Sequence, residues 1–264
     1  MRNNICMAVV ILFFACGIVH GSTRIMHEDF ESGSNWVYTD QPLAMYPDNL
    51  AQNWDITASN PHGGSYCAQS RLPCVGGNTL IYSSIFAYSL PTDVSSIFIR
   101  FWFRAQSGLN PYRFEFMRFT AVGGSNEIEI GLGAPTGTAV KSHVYSPGFS
   151  QTFDTGWGDP TTATGWTEYA AFIDYENQTI TFWRNPKAYR SSDSSARVMN
   201  IPASAGPYNR VLTPVFYKAR DPAGGNVFLF WLDDIEIWVN GVAGKANVPG
   251  GPSAPGGPSI QITP

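Results

Sequence analysis

Two glutamates stand two residues apart in a stretch that alternates acidic and apolar residues. Glu127 and Glu129 are separated by Ile128. If the stretch is a β-strand, both carboxylates lie on one side of it, because side chains alternate between the two faces. Retaining hydrolysis of a glycosidic bond needs two carboxyl groups about 5 Å apart, one as nucleophile and one as acid. The spacing permits this chemistry, and an exposed charge ladder with Arg113 or Arg100 is the alternative.

Charged and aromatic residues also recur at alternate positions in several stretches between residues 100 and 129. Arg and Glu side chains hydrogen-bond hydroxyls or carboxylates, and aromatic rings stack on sugar C–H groups. We therefore predict one glycan-binding face on neighbouring strands; the alternative is a set of charge pairs that keeps the sheet soluble, with Trp102 under a loop. Trp157, in a Gly-rich stretch, is predicted to be a loop aromatic that binds sugar or caps the fold. The predicted glycan-binding residues are Arg100, Trp102, Arg104, Arg113, Glu127, Glu129 and Trp157.

The elements that position these residues are predicted to be β-strands. Between residues 96 and 105, one face carries Ile97, Ile99, Phe101 and Phe103, and the other carries Arg100 and its neighbours. Residues 112–117 and 127–132 also alternate, and strands at 166–175 and 179–184 are predicted to form a hairpin. Turn-forming residues separate these runs, and no helical period appears. The pattern predicts an all-β fold, an antiparallel two-sheet jelly-roll sandwich.

The chain divides into three parts. Residues 1–21 have a positive start and a short apolar run, which predicts a signal peptide; an uncleaved anchor, or a lipoprotein with Cys16 lipidated, is the alternative. Residues 22–240 are predicted to form the sandwich domain. Residues 241–264 are rich in Gly and Pro and predict a flexible tail or linker. The protein is therefore expected to be secreted, periplasmic or on the cell surface.

Cysteine use and charge narrow the chemistry. Cys67 and Cys74, seven residues apart, predict a disulfide in an oxidising compartment. A structural zinc site needs four ligands, and His62 is the only histidine close by. The net charge is −4 and no basic patch stands out, which argues against a nucleic-acid partner. Nor does the sequence contain a phosphate-binding glycine loop before a helix.

Three motifs carry a resemblance to a known superfamily. The stretch Asp29-Phe30-Glu31 stands near the start, Gly63 to Cys67 follows, and Asp233-Asp234-Ile235 stands near the end. In this order they resemble the concanavalin A-like sandwiches, including the MAM and laminin-G-like domains and related jelly-roll carbohydrate-binding modules. The resemblance covers residues 24–240, and it implies that the first and last strands lie side by side.

The same resemblance implies a structural calcium ion. Its ligands would be carboxylates at the two chain ends together with backbone carbonyls near residues 64–66. Ca²⁺ takes six to eight oxygen ligands, and adjacent carboxylates repel one another unless a cation neutralises them. Solvated acids at strand ends are the alternative. The implied ligands are Asp29, Glu31, Asp233 and Asp234.

A weaker resemblance is to the jelly-roll alginate lyases. Their R-x-E-x-R strand is similar to Arg113-Phe114-Glu115, and their Y-F-K-A-G strand is similar to Phe216-Tyr217-Lys218. If the protein were a lyase, this would imply Arg113, Glu115, Tyr217 and Lys218 as its catalytic residues. Two features depart from the motif. Arg118 stands one residue too late, on the predicted opposite face, and the Q-I-H motif is missing, since His143 falls in a stretch predicted to be a loop.

The sequence therefore predicts a secreted, non-catalytic carbohydrate-binding module for an extracellular polysaccharide. A polysaccharide lyase or glycoside hydrolase of the jelly-roll type is one alternative. A structural or adhesive surface domain without a sugar ligand is the other.

Overall fold

The computed structural model describes residues 22–32, 54–73, 84–106, 111–121, 126–132, 139–158, 165–219 and 227–240. Within these ranges the chain forms β-strands and no helix, which confirms the predicted all-β class. It follows that these ranges hold no helix able to cross a bilayer. The predicted signal peptide and tail lie outside the described residues. The strands are β1 (Thr23–Glu28), β2 (Trp54–Thr57), β3 (Cys67–Pro73), β4 (Ser84–Ser89), β5 (Ser96–Ala105), β6 (Pro111–Thr120), β7 (Glu127–Leu132), β8 (Ala139–Ser146), β9 (Phe149–Gly158), β10 (Thr167–Asp174), β11 (Thr179–Arg184), β12 (Arg197–Asn200), β13 (Arg210–Ala219) and β14 (Val227–Val239).

The strands form two antiparallel sheets. The eight-stranded sheet has the order β12-β11-β10-β5-β14-β3-β2, and β1 also pairs with β14. The six-stranded sheet has the order β4-β13-β6-β7-β8-β9. Glu28 of β1 stands opposite Ile235 of β14, and Phe30 is 1% exposed. The first and last strands are therefore neighbours, as the sequence predicts.

The core lies between the sheets. Alternate residues of β5 enter it, since Ile97, Ile99, Phe101 and Phe103 are at most 1% exposed. The six-stranded sheet supplies the opposing layer, which includes Met117 of β6. Burial of each such side chain contributes about 1.5–3 kcal/mol. The period-two burial predicted for β5 is confirmed.

The outer side of β5 is also partly covered. Phe98 is 1% exposed and forms a second apolar cluster with Trp183 and Tyr189, the latter from the segment 185–196. The Tyr189 ring lies 4.9 Å from the Phe98 ring, edge-on. The expectation that this side of the strand faces water is therefore wrong where the segment lies over it.

A bulge interrupts the alternation of β6. Glu115 stands opposite Gly131 of β7, but Met117 stands opposite Ile130, so the register shifts between them. Met117 is 0% exposed and packs in the core. A bulge inserts one extra residue and resets the period of two. An unbroken alternation over residues 112–117, as predicted, would place Met117 on the outer face with Arg113 and Glu115, so the prediction is wrong at Met117.

Candidate ligand-binding face

The predicted glycan-binding residues do not share one face. Arg100, Trp102 and Arg104 belong to β5 of the eight-stranded sheet, whereas Glu127 and Glu129 belong to β7 of the six-stranded sheet. Arg113 lies on β6 of the six-stranded sheet, and its side chain is outside the described residues. The outer faces of the two sheets point away from each other, so the single predicted face is wrong.

Arg100 is part of a buried ionic network and is 8% exposed. Its Nε donates to Glu236 Oε2 over 3.0 Å, and its Nη1 donates to Glu168 Oε1 over 3.3 Å. The Tyr189 hydroxyl also donates to Glu168. Burial raises the pKa of Glu168. Burial is also the largest single influence on Glu236 and acts to raise its pKa, but the hydrogen bonds from Arg100 and Trp238 and the charge of Arg100 together lower the pKa of Glu236. Arg100 therefore has a structural role in charge pairs, which is the alternative that the sequence left open, and it exposes little surface to a ligand.

Trp102 and Arg104 support the loop that precedes β3. The His62 ring stacks on Trp102 at 3.8 Å, with 18° between the ring planes. Arg104 Nη1 donates to Asn60 Oδ1 over 3.3 Å, and its guanidinium lies 5.4 Å from the centre of the Trp231 ring. Trp102 thus lies under a loop, which is the alternative that the sequence left open.

Trp157 belongs to β9 and not to a loop. It is 7% exposed, and its ring lies 6.0 Å from that of Tyr169 in the core. Its backbone N–H donates to Thr155 Oγ1 over 3.2 Å. The prediction of an exposed sugar platform is wrong, and Trp157 closes the sandwich instead.

The outer face of the six-stranded sheet carries two rows of polar side chains, which we call the open face. The first row runs through Arg118, Glu129, His143 and Thr152, each directly opposite the next on β6 to β9. The second row runs through Thr120, Glu127, Tyr145 and Ser150 in the same way. Residues directly opposite in antiparallel strands share one face. The residues between them are in the core, including Phe119, Ile128, Ile130 and Val144.

Arg118 holds the two predicted glutamates in place. Its Nη2 contacts Glu127 Oε2 and lies 3.5 Å from Glu129 Oε1. The three side chains are 7%, 19% and 8% exposed, respectively. Arg118 is therefore a partner of both glutamates, whereas the predicted partner Arg100 lies in the other sheet. The side chain of the other predicted partner, Arg113, lies outside the described residues. Because the bulge resets the alternation, position 118 returns to the same face as position 115, contrary to expectation.

The position of His143 also differs from the prediction. It lies on β8 and not in a loop, opposite Glu129. Its Nε2 is 3.1 Å from Ser150 Oγ, and its Nδ1 is 3.0 Å from Thr152 Oγ1. Beside it stands Tyr145, which is 47% exposed, with the two rings 6.4 Å apart. In the sequence, the feature that indicates this strand is the alternation of the buried residues Val140, Ser142 and Val144 with Lys141, His143 and Tyr145.

For the residues suggested by the lyase resemblance, the structure describes the backbone positions only. Lys218 of β13 stands opposite Arg113 of β6, and Val215 stands opposite Glu115. These strands adjoin the open face in the same sheet. The side chains of Arg113, Glu115, Tyr217 and Lys218 lie outside the described residues.

The acids implied as calcium ligands lie at neighbouring chain segments but accept hydrogen bonds from backbone N–H groups. Asp233 Oδ2 accepts from His62 N over 2.9 Å, and Glu31 Oε1 accepts from Ser65 N over 2.8 Å. Asp29 Oδ1 accepts from Glu31 N, and Asp234 Oδ2 lies 2.9 Å from His62 Nδ1. Burial, followed by the neighbouring Asp234, raises the pKa of Asp233 to about 7. In the described part of the chain, no three His, Cys, Asp or Glu side chains converge on a metal position. We therefore expect this set of acids to hold the loop before β3 and not to bind calcium.

We expect calcium to leave the thermal stability unchanged for this reason. A ligand stabilises a protein only if it binds the folded state more tightly than the unfolded state. Here backbone N–H groups already bind both carboxylate oxygens of Glu31 and Asp233 and one of Asp29. Differential scanning fluorimetry with excess calcium and with chelator measures the effect as a Tm. A calcium-dependent rise of several degrees would contradict the expectation and restore the ion that the resemblance implies.

Cys67 is a buried free thiol. Its Sγ lies 3.5 Å from Ser59 O, and burial, followed by Asp233, raises its pKa to about 12. Cys74 lies outside the described residues. The structure therefore does not show the predicted disulfide.

Comparison with known proteins gives matches of fold. No family model matches the sequence, and no curated protein does either. The CBM2 module of an evolved Dit protein from a Lactobacillus casei phage has 15% identity and a TM-score of 0.49, over 83% of this chain and 97% of the module. A GH131 β-glucanase catalytic domain from Podospora anserina has 14% identity and a TM-score of 0.47, over 81% and 91% of the chains. A glycosyl hydrolase family protein from Mycobacterium fortuitum has 11% identity and a TM-score of 0.46, over 82% and 100%. The two antiparallel sheets with the core between them confirm the predicted two-sheet sandwich.

Proposed function

We propose that this protein binds a polysaccharide on the open face of its six-stranded sheet. The observation that carries the proposal is Tyr145, an aromatic ring that is 47% exposed and lies between ordered polar side chains. Such a ring presents an apolar surface to the C–H groups of a sugar while its hydroxyl remains available for hydrogen bonding. A polymer suits the site, because the two polar rows cross four adjacent strands.

The neighbours of Tyr145 supply the polar contacts that a sugar needs. Glu127 stands directly opposite it on β7, and Ser150 stands opposite it on β9. Arg118 fixes the Glu127 carboxylate, so little side-chain entropy is lost when a sugar hydroxyl donates to it. The exposed hydroxyls of Ser150 and Thr152 extend the hydrogen-bonding surface across the edge strand.

The opposite face of the sandwich supports this choice by contrast. In the described residues of the eight-stranded sheet, Tyr189 covers Phe98, and His62 covers Trp102. Aromatic rings already packed against protein do not offer a stacking surface to a ligand. Tyr145 has no such cover among the described residues other than its contact with His143.

Replacing Tyr145 by alanine is expected to weaken polysaccharide binding about thirty-fold, as for the loss of a central aromatic contact worth about 2 kcal/mol. Affinity electrophoresis against alginate, pectin and laminarin identifies the ligand, and isothermal titration calorimetry then gives the Kd. Tyr66→Ala is the matched control, since Tyr66 is 37% exposed but lies outside the open face. Tyr66→Ala should bind as the unmodified protein does.

Equal weakening by Tyr145→Ala and Tyr66→Ala would place the ligand elsewhere. If a glycan array shows no binding at all, the proposal fails, and a structural or adhesive domain becomes the better reading. Circular dichroism of both variants separates a lost contact from a lost fold.

A polysaccharide-cleaving enzyme is the second candidate, and two observations favour keeping it. The bulge in β6 brings positions 115 and 118 to one face, and His143 lies on the same sheet. Lyase chemistry needs a base and a group that neutralises the uronate carboxylate. If the protein is a lyase, incubation with alginate or pectin yields an unsaturated product, and His143→Gln removes it. For a glycosidase the geometry is less suitable, because Arg118 pairs with both Glu127 and Glu129 and so holds both carboxylates in one ion-pair cluster.

A further inference from the structure

A turn on the eight-stranded sheet contains an acceptor sequence for carbohydrate. Asn177-Gln178-Thr179 is the single Asn-x-Ser/Thr stretch in the 264 residues. Such a stretch, with any residue except Pro in the middle, is the substrate of N-glycosylation in exported proteins. Residues 176–178 are all exposed, between the end of β10 and the start of β11. Among the described residues, the acceptor therefore lies at an exposed position where a bulky group can be attached.

The turn is held by contacts that a glycan would preserve. Asn177 N donates to Asp174 Oδ1 over 2.9 Å, and Asn177 Nδ2 donates to Asp174 Oδ2 over 2.8 Å. An asparagine side chain carries two N–H bonds on Nδ2. Since N-glycosylation replaces one of them, the other can still donate to Asp174. Modification is thus compatible with the turn as folded.

We propose that Asn177 Nδ2 is an N-glycosylation site. The donor is an oligosaccharide linked to a polyprenyl diphosphate. The Nδ2–C1 bond forms as the C1–O bond to the diphosphate breaks, the diphosphate leaves with the electron pair, and Nδ2 loses one proton. Thr179 supplies the hydroxyl that the acceptor motif requires. The proposal is independent of the proposed function and rests on the predicted export of the chain.

The position of the site leaves the open face accessible. Asp174 of β10 pairs with Ser96 of β5 in the eight-stranded sheet. Tyr145 belongs to the six-stranded sheet, whose outer face points the other way. A glycan on Asn177 therefore adds a solvated surface beside one end of the eight-stranded sheet. It does not block a ligand that binds the outer face of the six-stranded sheet.

The test is expression of the full chain in a eukaryotic secretory host, followed by intact-mass measurement before and after peptide N-glycosidase. The secreted protein should carry a mass increment that the enzyme removes, leaving aspartate at position 177. Asn177→Gln should lose the increment. Thr179→Val should also lose it while keeping Asn177 and the β-branched shape, whereas Thr179→Ser should retain it. Asn60→Gln, at an exposed asparagine followed by proline, is the control that should leave it unchanged.

Three results would overturn the proposal. An unmodified secreted chain would show that the turn is not an acceptor. A mass increment that survives in both Asn177→Gln and Thr179→Val would place the carbohydrate on another residue. An unmodified chain retained inside the cell would remove the export on which the proposal rests. Polysaccharide binding by the deglycosylated protein is measured separately. It shows whether the open face binds a polysaccharide, whatever the outcome for glycosylation of Asn177.

Discussion

Replacing Arg100 by methionine should lower the free energy of unfolding by about 3–5 kcal/mol, because it removes the buried cation that pairs with the buried carboxylates of Glu168 and Glu236. The Glu236 side chain is 3% exposed and the Glu168 side chain is 11% exposed, and both pair with Arg100. The Tyr189 hydroxyl still donates to Glu168, which compensates for only part of the loss. Urea denaturation followed by tryptophan fluorescence and circular dichroism measures the change.

Arg24→Met is the matched control for this prediction. Arg24 Nη1 lies 3.3 Å from Glu236 Oε1, but the Arg24 side chain is 46% exposed. An exposed ion pair is screened by water and contributes about 0–1 kcal/mol. Both variants remove a cation that pairs with Glu236. The difference between their losses of stability therefore measures the effect of burying the Arg100 ion pairs. Equal losses of stability would show that the network around Arg100 is not the stabilising element described above.

The layers of the fold follow from the sequence because burial in a strand leaves a period of two. Ile97 and Phe101 are in the core as predicted, and the hairpin of β10 and β11 forms as predicted. The same pattern cannot say which sheet a strand joins. Consecutive strands β5 and β6 enter different sheets, so residues predicted to be neighbours lie on opposite faces. Nor does it reveal that a distant segment, with Tyr189, covers the polar side of β5.

The sequence predicted only some of the residues that form the open face. Glu127 and Glu129 were predicted to share a face, and they do, because β7 is regular. Arg118 was assigned to the wrong side, since a bulge leaves no reliable mark in the pattern of residue types. His143 and Tyr145 were missed because Gly and Pro residues on both sides made their stretch resemble a loop. Trp157 was misplaced by the same composition argument, since glycines surround a residue that is in the core.

A glycine beside Glu31 is the site of the second large effect. Gly64 has a φ of +57°, and a Cβ there would lie 2.1 Å from Glu31 Oε1. That carboxylate accepts hydrogen bonds from Ser65 N and Tyr66 N. Gly64→Ala therefore combines the strain of a left-handed backbone with displacement of the Glu31 side chain. We expect a loss of about 2–4 kcal/mol in the free energy of unfolding.

Gly148→Ala separates these two causes. Gly148 has a φ of +75°, but a Cβ there meets nothing within 4 Å, so only the backbone strain of about 1–2 kcal/mol remains. The excess loss in Gly64→Ala should disappear when Glu31 is also replaced by alanine, because the clashing side chain is then absent. Urea denaturation of Gly64→Ala, Gly148→Ala, Glu31→Ala and the Gly64→Ala/Glu31→Ala double variant measures both differences. If Gly64→Ala and Gly148→Ala are equally stable, Glu31 does not hold this loop. The loop before β3 is then held by Asp233 of β14, which accepts a hydrogen bond from His62 N.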